Sequence, residues 1–317
     1  MPMPDCYIGI DTSNYTTSIA VVNGAGEVIV NWKAPLPVKA GERGLRQSDA
    51  VFAHTKNLPA LLDQLGELLK EYTPVGVCVS DRPRGREDSY MPCFLSGVVA
   101  ARAVAAASGI PLYTTSHQDG HLMAAIYSSG APLTQGKPFG AFHVSGGTTE
   151  MLLATPDGTA FTVQKIGGTA DLNAGQAIDR IGVMMGLPFP AGPALEALAA
   201  QNTKKVPKPR ISVQEGECHI SGLENMATAL YRETGDKALV AAFVLQFIGD
   251  TLFAMATHLR AGYGVETVVF AGGVMSNRII ADSLTKRLGD GVYFAKPAFS
   301  ADNAAGVALL CRAKAAF

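Results

Sequence analysis

The sequence predicts a duplicated α/β fold, and three observations carry that prediction. Residues 7–22 and 142–154 each read as an apolar strand, a turn of small and hydroxyl residues, and a returning apolar strand. Strand-like runs then alternate with helical ones, at 75–80 before 94–108 and at 265–271 before a helix beyond Asn277. A Gly/Pro/polar segment, 130–138, separates the two patterned regions. The expectation is an N-terminal domain over residues 1–135 and a C-terminal domain over 136–317, with the C-terminal helix able to pack back toward the first.

A chain of 317 residues, 48% of them hydrophobic, can fill two such cores. No apolar run approaches the roughly 20 residues of a membrane span, and the N-terminus lacks the basic and apolar regions of a signal peptide. The expectation is a soluble, cytoplasmic protein with no membrane partner. Five cysteines without a CxxC, in an odd number, argue against a disulfide framework or a thiolate zinc site. A net charge of −1 excludes a broadly basic surface, so nucleic-acid contact needs a local patch or a partner's surface.

The opening stretch, from Tyr7 through Asp11-Thr12-Ser13-Asn14-Tyr15-Thr16-Thr17-Ser18 to Val22, joins two strands by a hydroxyl-rich turn, and Asn23-Gly24-Ala25-Gly26 turns into a third. This hairpin resembles the phosphate-facing hairpin of the superfamily that holds actin, the chaperone ATPases and the sugar kinases. Turn hydroxyls and backbone N–H groups suit phosphate oxygens, and the Asp11 carboxylate suits a metal or its water. Turn bonding within a plain hairpin would use the same residues. Residues 48–72 carry an amphipathic helical pattern interrupted by Pro59, with His54 as a half-buried helix residue. The strand 75–80 ends in Asp81-Arg82-Pro83-Arg84-Gly85-Arg86-Glu87-Asp88. Its arginine forks suit a phosphate, a carboxylate or an RNA backbone, and its opposite charges equally suit pairing within the loop.

After a small-residue helix over 94–108, a short strand delivers Thr114-Thr115-Ser116 as a cap to His117-Gln118-Asp119-Gly120-His121. Two imidazoles four positions apart share one helical face and chelate a first-row metal without bending the backbone. Two capping or surface histidines would show the same spacing. Gln118 stands where a zinc protease has its general-base Glu, so peptide hydrolysis by that route is not expected.

In the second half, Phe142-His143-Val144-Ser145-Gly146-Gly147-Thr148-Thr149-Glu150 repeats the opening hairpin in altered form, and two such hairpins suit a nucleotide cleft between the halves. Residues 171–187 read as a helix with a glycine stop. On it Asp179 is either a ribose acceptor or an exposed acid beside Arg180. Asn202-Thr203-Lys204-Lys205-Val206-Pro207-Lys208-Pro209-Arg210, the one basic run, reads first as an exposed connector and second as an RNA contact. A long apolar helix, 238–260, precedes Ala271-Gly272-Gly273-Val274-Met275-Ser276-Asn277-Arg278, where bare backbone admits a base or phosphate. Asp302 stands before the last helix, as a cap or as an oxygen ligand to complete the histidine pair.

Together these residues resemble the tRNA threonylcarbamoyladenosine transferase family, TsaD and its relatives, grouped also with peptidase family M22. The motifs run in order through GIDTS, HQDGH, VSGGTTE, AGQAIDR with AGP, ISGL, AGGVMSNR and SADNAA. The resemblance implies the actin-like (ASKHA, ribonuclease-H-like) duplicated two-domain fold, with a nucleotide and metal cleft between the domains. It implies a divalent metal, Fe(II) or Zn(II), on His117, His121 and Asp302, which polarises the donor carbonyl. It also implies an adenylate, or ATP or ADP with Mg, on His143, Val144, Ser145, Gly146, Gly147, Asp179, Gly192, Glu196, Gly272, Gly273 and Asn277. Asp11 and Ser145 are the expected catalytic groups. The carbamoyl group would pass from the adenylate donor to N6 of adenosine in tRNA, with partner proteins of a modifying complex. The family's ETSCDET is here DTSNYTT, its GPG turn is the Arg82–Arg86 loop, VSGGHTQ is VSGGTTE, GEAFDK is GQAIDR, and the lysine after SGL is Glu224. Those departures point to a divergent paralogue. An ATPase or kinase of the actin-like fold, and a non-catalytic nucleotide-binding scaffold, are the alternative readings.

Overall fold

A computed structural model describes residues 2–13, 15–37, 45–86, 88–301 and 303–316. The first elements are β1 (Asp5–Asp11), β2 (Thr16–Asn23), β3 (Val28–Pro35), α1 (Gln47–Leu68), β4 (Thr73–Arg82), α2 (Phe94–Ser108), β5 (Leu112–Ser116) and α3 (His117–Ser129). There follow β6 (Phe139–Val144), β7 (Thr149–Asp157), β8 (Ala160–Thr169), α4 (Ala174–Met184), α5 (Gly192–Ala199), β9 (Ser212–Gln214), β10 (Glu217–His219) and α6 (Gly222–Thr234). The chain ends with α7 (Lys237–Tyr263), β11 (Val268–Ala271), a 3₁₀ turn (Gly273–Ser276), α8 (Arg278–Leu288), β12 (Val292–Phe294), α9 (Pro297–Ser300) and α10 (Ala305–Ala315).

Two compact units form: Met1–Tyr127 with Pro156–Thr162 and Ala301–Phe317, and Ser128–Thr155 with Val163–Ser300. Composition suggests a single cut at 135/136. The observed division instead falls at 127/128, inside α3, and the chain crosses again further on, because α10 packs on β1, β4 and β2 of the first unit.

In the first unit the sheet order is β3-β2-β1-β4-β5, with β1 antiparallel to β2 and parallel to β4. Ile8, Ile10, Ile19, Val21, Val77 and Val79 are fully buried, as central strands covered on both faces require. Helix α1 runs unbroken through Pro59, where the sequence pattern suggests an interruption. A proline inside a helix costs about 3 kcal/mol. Burial of Ala50, His54, Leu58, Leu61 and Leu65 along one face holds the helix regardless.

In the second unit the order is β12-β11-β6-β7-β8-β10-β9. Its stretch β8-β7-β6-β11-β12 repeats the strand order of the first sheet, so the duplication read from the two hairpins extends to the topology. Phe142, Phe270 and Phe294 lie in register on three parallel strands and stack with centroids 4.7 and 5.1 Å apart. Just beyond the stack β6 ends at Val144 and β11 at Ala271, and a glycine turn follows each. The expectation that no apolar run approaches a membrane span fails at α7, which is long and apolar enough by length and composition. Its most apolar stretch is 67% buried, with Phe243, Phe247, Leu252 and Leu259 inside the second unit, so α7 is apolar because it is a core helix.

Candidate functional site

Helix α3 starts at a reciprocal cap. Asp119 N donates to Ser116 Oγ at 3.1 Å, while Asp119 Oδ2 accepts from Thr115 Oγ1 at 3.3 Å and from Ser116 N at 3.4 Å. Burial pushes the Asp119 carboxyl up in spite of these bonds. The cap makes His117 the first helical residue and sets His121 one turn on. Their rings meet edge to face, centroids 4.3 Å apart at 82°, and Phe94 makes a second edge contact with His117 at 6.2 Å.

Strand β1 brings Asp11 to the same place. The carboxylate is fully buried, and its Oδ1 accepts from Ser80 Oγ and lies 3.0 Å from His117 Nδ1, while Oδ2 accepts from Ser13 Oγ at 2.5 Å. Burial by itself would raise this carboxyl. The charge of His117 and the hydrogen bonds from His117, Ser13 and Ser80 outweigh it and hold the group below the usual carboxylate range.

Four of the hydroxyls around this turn point inward. Thr12, Ser13, Thr17 and Ser18 are buried, and each is engaged within the unit: Thr12 Oγ1 donates to Cys93 O and accepts from Gly97 N, both at 3.0 Å, Thr17 Oγ1 pairs with His54 Nδ1 at 2.9 Å, and Ser18 Oγ donates to Asp11 O. These hydroxyls lock the β1–β2 hairpin to α1 and α2, which is the plain-hairpin use of the same residues. Asn14 lies outside the described residues.

The donor set fits part of a metal site. A carboxylate on Nδ1 fixes the tautomer of a ligating imidazole and leaves Nε2 as its ligating atom, and Asp11 stands in that relation to His117. Among the described residues no group of three or more His, Cys, Asp or Glu side chains gathers to hold a metal. Asp302, the third ligand that the motif implies, lies outside the described residues. The arginine loop touches this site through its backbone, with Gln118 N donating to Pro83 O at 3.0 Å. Two of its arginines pair within the loop: Arg82 binds both Asp81 oxygens at 2.9 and 3.1 Å, and Arg86 lies 3.5 Å from Asp88. Glu87 lies outside the described residues.

The second unit contains a cup of glycine backbone. At the β6–β7 turn Ser145 N donates to Thr148 O at 2.7 Å, and Ser145 O accepts from Gly175 N at 3.2 Å. Thr149 Oγ1 accepts from Ala174 N at 2.9 Å and so caps α4. A Cβ on Gly175 would stand 2.7 Å from Gly146 Cα and Ser145 O, and one on Gly272, whose φ is +102°, would collide with the Val144 carbonyl. These two glycines close the cup from behind. Gly146, Gly147, Gly192 and Gly273 differ, because a Cβ on any of them would meet nothing within 4 Å. Their faces are open to a ligand.

The other expected adenylate contacts hold the walls together. Asp179 Oδ1 accepts from Ala191 N at 2.8 Å and ties α4 to the start of α5, and Glu196 Oε1 accepts from Arg278 N at 2.7 Å and ties α5 to α8. Asn277 caps α8 through Ile280 N at 3.1 Å. His143 sits on β6 between Glu150 of β7 and Ala271 of β11, and Val144 is buried beneath the turn. Arg180 reaches Glu224 at 3.5 Å, so the glutamate that replaces the family's lysine has an opposite charge beside it.

Sequence reasoning missed two groups. Ser80 is one, a lone hydroxyl ending a buried apolar strand, which is the signal that could have marked it. Asp171 is the other: its carboxylate accepts from Leu172 N at 2.6 Å, Ile220 N at 2.8 Å and Ser221 Oγ at 2.6 Å, and thereby fixes the ISGL segment.

A sequence profile for tRNA N6-adenosine threonylcarbamoyltransferase matches residues 52–309. The tRNA N6-adenosine threonylcarbamoyltransferase of Thermotoga neapolitana is 28% identical over 310 residues, covering 95% of this chain and 91% of that one. Among solved structures, HypF from T. kodakarensis superposes with a TM-score of 0.64 at 12% identity over 98% of this chain. This chain spans about half of that protein, 48% of its length. A ROK family glucokinase from Streptomyces griseus superposes with a TM-score of 0.51 at 14% identity, covering 96% and 98% of the two chains. The fold is actin-like, as the two hairpins and the repeated strand order indicate.

Proposed function

The chain belongs to the tRNA N6-adenosine threonylcarbamoyltransferase family, and from that membership we propose that it passes a threonylcarbamoyl group from an adenylate to N6 of adenosine in tRNA. In this reaction the N6 amine forms a bond to the carbamoyl carbon, the bond from that carbon to the phosphate oxygen breaks, AMP leaves with the electron pair, and the amine loses a proton. The observation that carries the reading is the buried Asp11 carboxylate on Nδ1 of His117 beside His121.

His117 and His121, with Asp302 from the SADNAA motif, would hold one divalent metal, Fe(II) or Zn(II) by the ligand set. Bound there, the metal supplies a Lewis acid for the donor carbonyl. Asp11 orients His117 and stays ionised. The open faces of Gly146, Gly147 and Gly273 admit the adenylate phosphate close to backbone N–H groups, and Ser145 stands at the start of that turn. Asp179, Glu196 and Asn277 keep the cup in shape. Five buried free thiols suit the reducing cytoplasm. With a net charge of −1, the chain gains from partner proteins in holding RNA.

The test is transfer itself. Donor adenylate labelled in its threonine is incubated with the chain and unmodified tRNA, and the RNA is digested to nucleosides for mass spectrometry. Labelled N6-threonylcarbamoyladenosine is the expected product. Magnesium-dependent ATP turnover without donor, and no label in the RNA, would contradict the reading.

A further inference from the structure

The connector from α5 to β9 is neither helix nor strand, yet it is built to hold one shape. Pro207 and Pro209 fix their own φ and push Val206 and Lys208 into extended backbone. Val206 packs on the second unit's core and lines a cavity of about 430 Å³ with Ala199, Leu245 and Ile279, and Pro209 is buried. Inward positions three apart match the period of a polyproline II helix as far as Pro209, which places Lys205 and Lys208 together on the outward face, about 9 Å apart at 3.1 Å per residue; Arg210 lies off that row, exposed where the chain turns Ile211 onto the core. The N-terminal end is pinned by Lys204 Nζ on Asp236 Oδ2 at 2.7 Å and by Asn202 Nδ2 on Lys204 O at 2.8 Å. At the other end the chain enters the β9–β10 ladder, with Ile211 and Val213 against the core.

Lys205, Lys208 and Arg210 are exposed and make no ion pair among the described residues. We propose that these three side chains form a preformed strap that grips the phosphate backbone of the acceptor RNA. The inference rests on the transferase reading above. A stiff row of cations loses little entropy on engaging a polymer of regular charge. Its outward face carries no aromatic or large aliphatic side chain of the kind that anchors protein interfaces, which favours RNA over a protein partner. Helix α5, about 12 Å long, carries Gly192 of the cup at its start and leads into the connector beyond its end, so the strap is built on the unit that carries the cup.

Binding of unmodified tRNA is measured by fluorescence anisotropy across a salt series for the wild type and for Lys205→Ala/Lys208→Ala/Arg210→Ala. The variant is expected to bind at least tenfold more weakly at low salt, with a log–log salt slope shallower by about 2 to 3. Adenylate affinity and thermal unfolding should stay as in the wild type, and Lys205→Arg/Lys208→Arg should keep the wild-type slope. Wild-type slope and affinity in the triple variant would overturn the strap and leave the transferase reading standing, and so would loss of an acidic protein partner with tRNA binding intact. A wild type that binds no tRNA at any salt would overturn both.

Discussion

Asp11 shows how a single buried acid can be kept ionised. Two hydroxyls and an imidazole surround it, so its charge is compensated where burial alone would neutralise it. Asp11→Asn keeps the shape and removes the charge that orients His117, and the account expects divalent-metal affinity to fall about 10- to 100-fold in a chelator competition; an unchanged affinity would separate Asp11 from the metal. Asp171 is held at about 2: burial raises its carboxyl, but hydrogen bonds from Ser221, Ile220 and Leu172 outweigh that. A folded value below the unfolded one contributes stability that is present above about pH 4 and lost as the pH falls through about 2. Urea unfolding of Asp171→Ala should therefore show a loss on the order of 1 kcal/mol at pH 7, after allowance for solvent screening, and the gap from wild type should close between pH 4 and pH 2. His117 and His121 were legible because a helical spacing and a Ser/Thr cap are local signals. Asp171 was not, because its partners Ile220 and Ser221 are far along the chain and only folding brings them near.

At the scale of elements, the glycines of the cup divide by role, and their neighbours decide which is which. Gly175→Ala forces a methyl against Gly146 and should lower stability by about 1–3 kcal/mol together with adenylate affinity. Gly147→Ala meets open space and should leave the thermal midpoint within a degree or two while weakening adenylate binding. Calorimetry on both variants checks the contrast, and a Gly147→Ala protein that binds adenylate like wild type would remove that glycine from the site. Sequence alone placed Gly147 in a small-residue turn and Gly175 inside a helix, and gave no sign that the second backs the first. The helix over 94–108 and the opening hairpin were readable from period and turn chemistry. Strand β8 and the β9–β10 pair were not, because β8 is half-exposed with a ragged pattern and the pair is only three residues a side. Pro59 and α7 misled for one reason: tertiary burial overrides a local breaker and makes a core helix as apolar as a membrane span.

For the molecule as a whole, the same strand order appears twice, and in the proposed reading each copy has a different task. One unit presents Asp11 with the histidine pair, and the other presents the glycine cup and the basic strap. The duplication was legible in two hairpins of like pattern. The return of the C-terminal helix to the first sheet was expected and is found in α10, whereas the Pro156–Thr162 excursion and the division inside α3 were not, since both depend on packing rather than on composition. Threonylcarbamoyl transfer to tRNA, read by nucleoside mass spectrometry in wild type, His117→Ala and Gly147→Val, with metal content and adenylate affinity taken on the same samples, decides whether the two units carry the reaction in this way. Both variants are expected to lose transfer, the first with loss of metal and the second with loss of adenylate affinity. Wild-type transfer by either variant would contradict this assignment.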